Sequence, residues 1–276
     1  MLELRSIVHP TDFSDASAEA FVHALRIALT AKSGLTLLHV TNPLDERDWV
    51  TFPHVRAVLA DWGLMSESAP EAAVAEKLGI KIAKVDLSPQ SAADGVLRYL
   101  DDHPAARIVL GTQARDGVAR LLHGSVAEKL ARHAKVPTLF VPNGARGFVD
   151  PLRGEIHLKR LLIPVDHDPK PAAAVNAIMH FAHMLAGPEV DERLFHAGRD
   201  APQLRHHTKP HLAVPVALVS GDPVDSIINE AIDWQPDLIA MPTAGHRGVL
   251  DALRGSTTER VIRQSPCPVL AVPASV

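Results

Sequence analysis

Short runs of Val, Ile and Leu recur along the chain at Ile7-Val8, Leu35 to Val40, Ile82 to Leu87, Ile108 to Gly111 and Thr138 to Val141. Between them lie stretches whose apolar positions follow the helical period. Apolar runs of this kind suit strands buried on both faces, as in a parallel sheet. Five such strands joined by right-handed helical crossovers predict a doubly wound α/β layer.

The pattern then repeats. RSIVHPTDFSDASAEAFVHALRIA, residues 5–28, is answered at 159–182 by KRLLIPVDHDPKPAAAVNAIMHFA, where Pro164 and Asp166 match Pro10 and Asp12. Residues 107–142, RIVLGTQARDGVARLLHGSVAEKLARHAKVPTLFVP, are answered at 237–273 by DLIAMPTAGHRGVLDALRGSTTERVIRQSPCPVLAVP. There Gly124-Ser125 matches Gly255-Ser256, and Glu128 matches Glu259. Two blocks matching in the same order predict a tandem duplication, with domains at 1–145 and 155–276. Asn143 to His157, rich in Gly and charge, reads as the linker.

The copies differ in length at one place. From the third strand onward their spacing is constant, with Asp94 meeting Asp225 and Val96 meeting Ile227. The shortening therefore falls between second and third strands. Copy one has Thr41 to Lys84 there, with a helical pattern around Glu71 to Leu78. Copy two has only Gly198 to Pro215, room for a short turn of helix at best.

A length of 276 residues agrees with two domains, and 46% apolar with 22% charged residues describes a folded chain with real cores. The net charge of −4 and an aromatic content of 4% provide neither a cationic stripe nor stacking aromatics, which argues against a nucleic-acid binder. The single cysteine, Cys267, excludes an intramolecular disulfide and fits a reducing compartment; within Ser-Pro-Cys-Pro it reads as a small buried hydrophobe. Neither a secretory leader nor an apolar run of membrane-spanning length is seen, so the expectation is a soluble, cytoplasmic protein.

In open parallel sheets, ligands bind beyond the carboxyl ends of the strands, where the winding reverses. With first and fourth strands adjacent, Asp12 and Gly111 meet at that crevice in copy one, and Asp166 and Pro242 in copy two. Gly124-Ser125-Val126 opens the last helix, whose free N–H groups and positive dipole end suit a phosphate.

IVHPTDFS, followed by Gly111-x-x-Ala114, nine residues and Gly124-Ser125, resembles the universal stress protein family, whose ATP-binding members carry Gly-x-x-Gly, nine residues, Gly-[Ser/Thr]. Both copies keep this spacing. The resemblance implies two tandem five-stranded sheets of the adenine-nucleotide alpha-hydrolase-like fold, strand order 3-2-1-4-5. It also implies a stress-response protein binding ATP, with or without Mg2+, for signalling or regulation. On that analogy Asp12 or Asp166 accepts a hydrogen bond from the adenine amino group, and Pro10, Thr11 and Val40 belong to the same contact set. Gly111, Ala114, Gly124, Gly245 and Gly255 bring backbone close to ribose and phosphates. Ser125-Val126 and Ser256-Thr257 contact phosphate oxygens. Family members also pair through the last strand, which implies an internal pseudo-dimer of the two copies and a homodimer of the chain.

Each copy departs from the pattern. Ala114 replaces the second glycine of copy one, and Pro242 the first glycine of copy two, where it removes an N–H and fixes φ. Copy one is therefore the better candidate site. Plainer readings stand beside these. Ser125-x-x-Glu128 and Ser256-x-x-Glu259 are capping boxes that need no ligand, and an Asp after a strand often caps the next turn. Arg115, Arg120, His246, Arg247 and Arg254 could neutralise a triphosphate or simply be solvated. The closing strands, Val136 to Val141 and Pro268 to Val272, would be exposed edges unless covered.

Signatures of other chemistry are missing. There is no Walker loop, His-x-Gly-His or Ser-Gly-Gly-x-Asp-Ser, and no convergent nucleophile, base and orienting group, so an enzyme is not expected. The 16 histidines show no metal-ligand spacing; His206, His207 and His211 read as loop residues, and His180 and His183 as the polar face of a helix. The alternative to nucleotide binding is a degenerate member acting as a dimeric interaction scaffold.

Overall fold

The computed structural model describes residues 6–41, 49–50, 52–88, 91–112, 126–205, 213–244 and 257–274. The first half runs β1 (Ser6–Thr11), α1 (Asp15–Ala31), β2 (Leu35–Val40), α2 (Val55–Asp61), α3 (Ala72–Leu78), β3 (Ile82–Leu87), α4 (Ala92–Asp102), β4 (Ala105–Thr112), α5 (Val126–His133) and β5 (Thr138–Pro142). The second runs β6 (Arg160–Pro164), α6 (Ala172–Ala186), β7 (Asp191–Ala197), β8 (Leu204–Arg205), β9 (Ala213–Val214), β10 (Ala217–Val219), α7 (Pro223–Trp234), β11 (Leu238–Thr243), α8 (Thr257–Gln264) and β12 (Val269–Pro273).

Each half is a parallel sheet of order 3-2-1-4-5, as β3-β2-β1-β4-β5 and β10-β7-β6-β11-β12. The two join through β5 and β12, among the described residues the only antiparallel pair of the ten-stranded sheet, with Val269 opposite Phe140 and Leu270 opposite Leu139. The apolar strands that would have been edges thus sit at its centre, each covering the other's unpaired backbone. Two continuous cores follow, one per face. The first is built by α1, α2, α3 and α6, the second by α4, α5, α7 and α8.

Across the central pair, α5 meets α8 through residues that the repeat had matched. Arg132 donates from Nε and Nη2 to the two oxygens of Glu259 at 3.0 and 3.1 Å, and Arg263 approaches Glu128 at 3.5 Å. The Glu259 side chain is 2% exposed and that of Arg132 33%, so deleting the guanidinium leaves a buried carboxylate behind. Arg132→Ala is expected to cost about 2–3 kcal/mol in urea unfolding, discounted for the exposure of the arginine. Lys129→Ala, which removes an exposed pair with Asp94, should leave the urea midpoint nearly unchanged.

The second crossover departs from expectation in both halves. In the first, α3 matches the pattern read at Glu71 to Leu78, but α2 precedes it and buries Leu59. In the second, the described residues form no turn of helix but a hairpin, β8 against β9. By the constant spacing, β9 and β10 together stand where β3 stands in the first half. Pro215 divides them, and lacking an N–H it is tolerated only because this is the sheet's edge.

The connection after β5 is not a free tether. Phe148 and Val149 are buried, Val149 bridges Ile156, and Trp62 donates to the Pro151 carbonyl at 3.0 Å. His23 donates through Nδ1 to the Glu19 carbonyl and accepts through Nε2 from the Phe148 amide at 3.1 Å. Burial of that neutral ring lowers its pKa from 6.5 to about 4. No helix among the described residues is long and apolar enough to cross a membrane.

Candidate functional site

Pairing of β1 with β4 is registered only from Ser6 to Val8, and that of β6 with β11 only at Leu161 and Leu162. All four strands continue beyond these points, so a crevice opens at their carboxyl ends in each half. In the first half a buried side-chain chain spans it. His9 donates from Nδ1 to the Val109 carbonyl at 2.8 Å, leaving Nε2 to face the Ser17 hydroxyl at 3.4 Å; Ser17 donates to Thr11 Oγ1 at 2.7 Å, which accepts from the Phe13 amide at 3.0 Å. Desolvation of His9 lowers its pKa to about 4, against the opposing bond to Val109.

Beyond this network the turn projects Asp12 into solvent. Its Oδ1 accepts from the Ser14 amide and hydroxyl at 3.0 and 2.5 Å, the plain turn-capping role, while Ser14 itself caps α1 by accepting from the Ser17 amide. Pro10 and Thr11 lead into the turn at the end of β1. Val40 ends β2 beside α4, where a Cβ on Gly95 would lie 3.3 Å from it. Val126 opens α5.

Gly111 has a role apart from any ligand. A Cβ there would stand 2.2 Å from the carbonyl oxygen of Ala16 and 3.0 Å from the Ser17 amide. The glycine therefore lets the first turn of α1 lie directly on β4. In the second half the matching positions, Lys170 and Pro171, precede α6, which starts only at Ala172. The missing turn removes the clash and explains why Pro242 is accepted opposite Gly111.

The second crevice differs in other ways. Asp166 is exposed, but its Oδ1 accepts from the His167 amide at 2.7 Å and lies 3.7 Å from His196 Nδ1. His167 meets the Asp200 carbonyl at 2.9 Å. Thr257 opens α8 and is exposed. Ala114, Gly124, Ser125, Gly245, Gly255 and Ser256 lie outside the described residues, as do Arg115, Arg120, His246, Arg247, Arg254, His206, His207 and His211. Among the described residues no group of three His, Cys, Asp or Glu could hold a metal ion. Cys267 is buried, which raises its thiol to about 12 and leaves it protonated.

Four residues at these crevices, His9, Ser17, His39 and His196, went unnoticed in the motif reading. A signal existed for two of them, since His39 in LLHV and His196 in LFHA stand at matching places near the ends of β2 and β7.

The model of the universal stress protein family matches residues 3–142 and 183–273. The chain belongs to that family. It is 32% identical over 146 residues to a universal stress protein of Methanocaldococcus jannaschii, covering 50% of this chain and 81% of the relative. A universal stress protein of Mycobacterium bovis is similar along nearly its full length, 25% identical over 286 residues with 91% of this chain and 93% of the relative covered. In structure, a universal stress protein from Archaeoglobus fulgidus superposes over 99% of this chain and 100% of its own with a TM-score of 0.61 at 19% identity, a likeness of fold. As a family member, this chain carries the tandem arrangement with one shortened crossover and one displaced helix start.

Proposed function

We propose that this universal stress protein binds an adenine nucleotide in the crevice of its first half and serves signalling or regulation, while its second half acts as a packed structural partner. The observation that carries this reading is the exposed Asp12 carboxylate at the tip of β1, held by Ser14 in the turn that follows the strand. A carboxylate accepts the exocyclic amino group that adenine offers, and the amino end of α5 provides N–H groups for a phosphate. On this reading Asp12, Val40 and Gly111 would serve the base and ribose and Val126 the phosphates; Ser125, expected beside it, lies outside the described residues. Adenine nucleotide held there supplies recognition, and no chemical step is assigned to the protein. Pro242 replaces the first glycine of the second copy and removes its N–H, so the second crevice is set apart as the scaffold side.

Mass spectrometry of the denatured purified protein for co-purified nucleotide, followed by calorimetry with ATP with and without magnesium, tests this. One equivalent per chain is expected. Asp12→Ala should weaken binding about ten- to hundred-fold, the worth of a hydrogen bond to a charged group, and Asp166→Ala should leave it unchanged. Absence of binding by the wild type, or loss on Asp166→Ala alone, overturns the proposal.

A further inference from the structure

We infer that His39 is a positioning residue that aims Asp12, and that the two halves carry this device in duplicate. The inference rests on the nucleotide reading above and adds to it the residue on which base selectivity depends.

His39 touches both neighbours of Asp12 at once. Its Nδ1 lies 3.0 Å from the Thr11 carbonyl, and because a carbonyl only accepts, that nitrogen carries the hydrogen. Its ring stacks on Phe13 at a centroid distance of 4.2 Å and an interplanar angle of 28°. Phe13 has φ of 61°, the left-handed region that a bulky side chain seldom enters without outside support. The bond from the Phe13 amide to Thr11 Oγ1 closes the same turn from inside. So the residue before Asp12 is held through its carbonyl and the residue after it through its ring, by one buried imidazole. The carboxylate between them is left exposed but with its backbone direction set.

The second half repeats the arrangement on different residues. His196 Nδ1 lies 2.9 Å from the carbonyl of Val165, immediately before Asp166, and its ring meets that of His167, immediately after, edge-on at 5.2 Å and 81°. The turn around this clamp has changed: Phe13 is matched by His167, and the helix starts later. The clamp itself has persisted.

The test separates aiming from general stability by using two bases. Inosine triphosphate carries an oxygen where ATP carries the amino group, so at that position it offers the Asp12 carboxylate an acceptor in place of a donor. Wild type should bind ATP about tenfold or more tightly than inosine triphosphate in calorimetry. His39→Ala should bring ATP affinity down to the inosine triphosphate value while leaving inosine triphosphate affinity unmoved. His39→Asn, which keeps an N–H at the same reach, should restore part of the preference, and His39→Phe, which keeps only the ring, should restore less. If His39→Ala does not fold, the Asn and Phe variants carry the comparison. A fall in both nucleotides together, or a retained preference in His39→Ala while Asp12→Ala loses it, overturns this inference alone. A wild type that binds neither nucleotide overturns the nucleotide reading and the inference with it.

Discussion

Gly111→Val is expected to destabilise the protein by about 3 kcal/mol or more, and Gly111→Ala by about 2 kcal/mol, whereas Pro242→Ala in the matching place should change stability by less than about 1 kcal/mol. The asymmetry follows from a single helical turn. At Gly111 the added carbon would meet backbone, the Ala16 carbonyl oxygen at 2.2 Å and its carbon at 2.5 Å, and no rotamer change can relieve a clash with main chain. Either α1 lifts from β4, exposing apolar surface around Phe21 and Ala24, or its first turn unwinds and forfeits the Ser14 cap. At Pro242 the corresponding turn does not exist, because α6 begins after Pro171. Thermal and urea unfolding of the three variants measure this. An unchanged midpoint for Gly111→Val would mean that α1 does not rest on β4 in solution.

Acidification should weaken the fold between about pH 6.5 and pH 4 through His9 and His23. Both rings are buried and neutral, and desolvation holds each near a pKa of about 4. In the unfolded chain an imidazole takes up a proton near 6.5. A folded value below the unfolded one means that stability is fully present above pH 6.5 and drains away as pH falls, until both states are protonated below about 4. Each histidine then accounts for a loss of about 3 kcal/mol, an order-of-magnitude figure, which together is a large share of a typical stability of about 5–15 kcal/mol. The structural reason is plain at His23. Protonation of Nε2 removes the acceptor of the Phe148 amide and places a charge inside the connection between the halves. Urea unfolding at pH 7 and pH 5 should show a drop of several kcal/mol, reduced in His23→Gln. A flat profile over that interval would show that neither ring stays buried and neutral in solution.

Much of this architecture is legible along the chain because both faces of a central parallel strand are buried. Such strands must be apolar throughout, and Leu35–Val40 announces itself to the residue, whereas Ile82–Leu87 lies at the sheet's edge and carries the exposed Lys84 and Asp86. The duplication is legible for the same reason, since Pro10-Thr11-Asp12 and Pro164-Val165-Asp166 punctuate equivalent strand ends. The helix α2 was not legible, because its seven residues bury only Leu59 and leave too short an apolar stripe to set a period. Nor was the hairpin that replaces a helix in the second half, where a two-residue pairing depends on what Leu204 finds to cover it. The central place of β5 and β12 was reached only through resemblance, since an apolar strand does not reveal which neighbour it will take.

At the site, residue identity determined which groups are present: an acid after each first strand, glycines after the fourth, and serines before the last helix. Tertiary structure alone decided what each of them does. Gly111 is a glycine because of Ala16, far away in sequence; Glu259 answers Arg132 of the other half; His39 meets the carbonyl of Thr11. Such contacts join residues whose proximity comes from strand order and helix placement, and those are settled by the burial of the whole chain at once and not by any local run of amino acids.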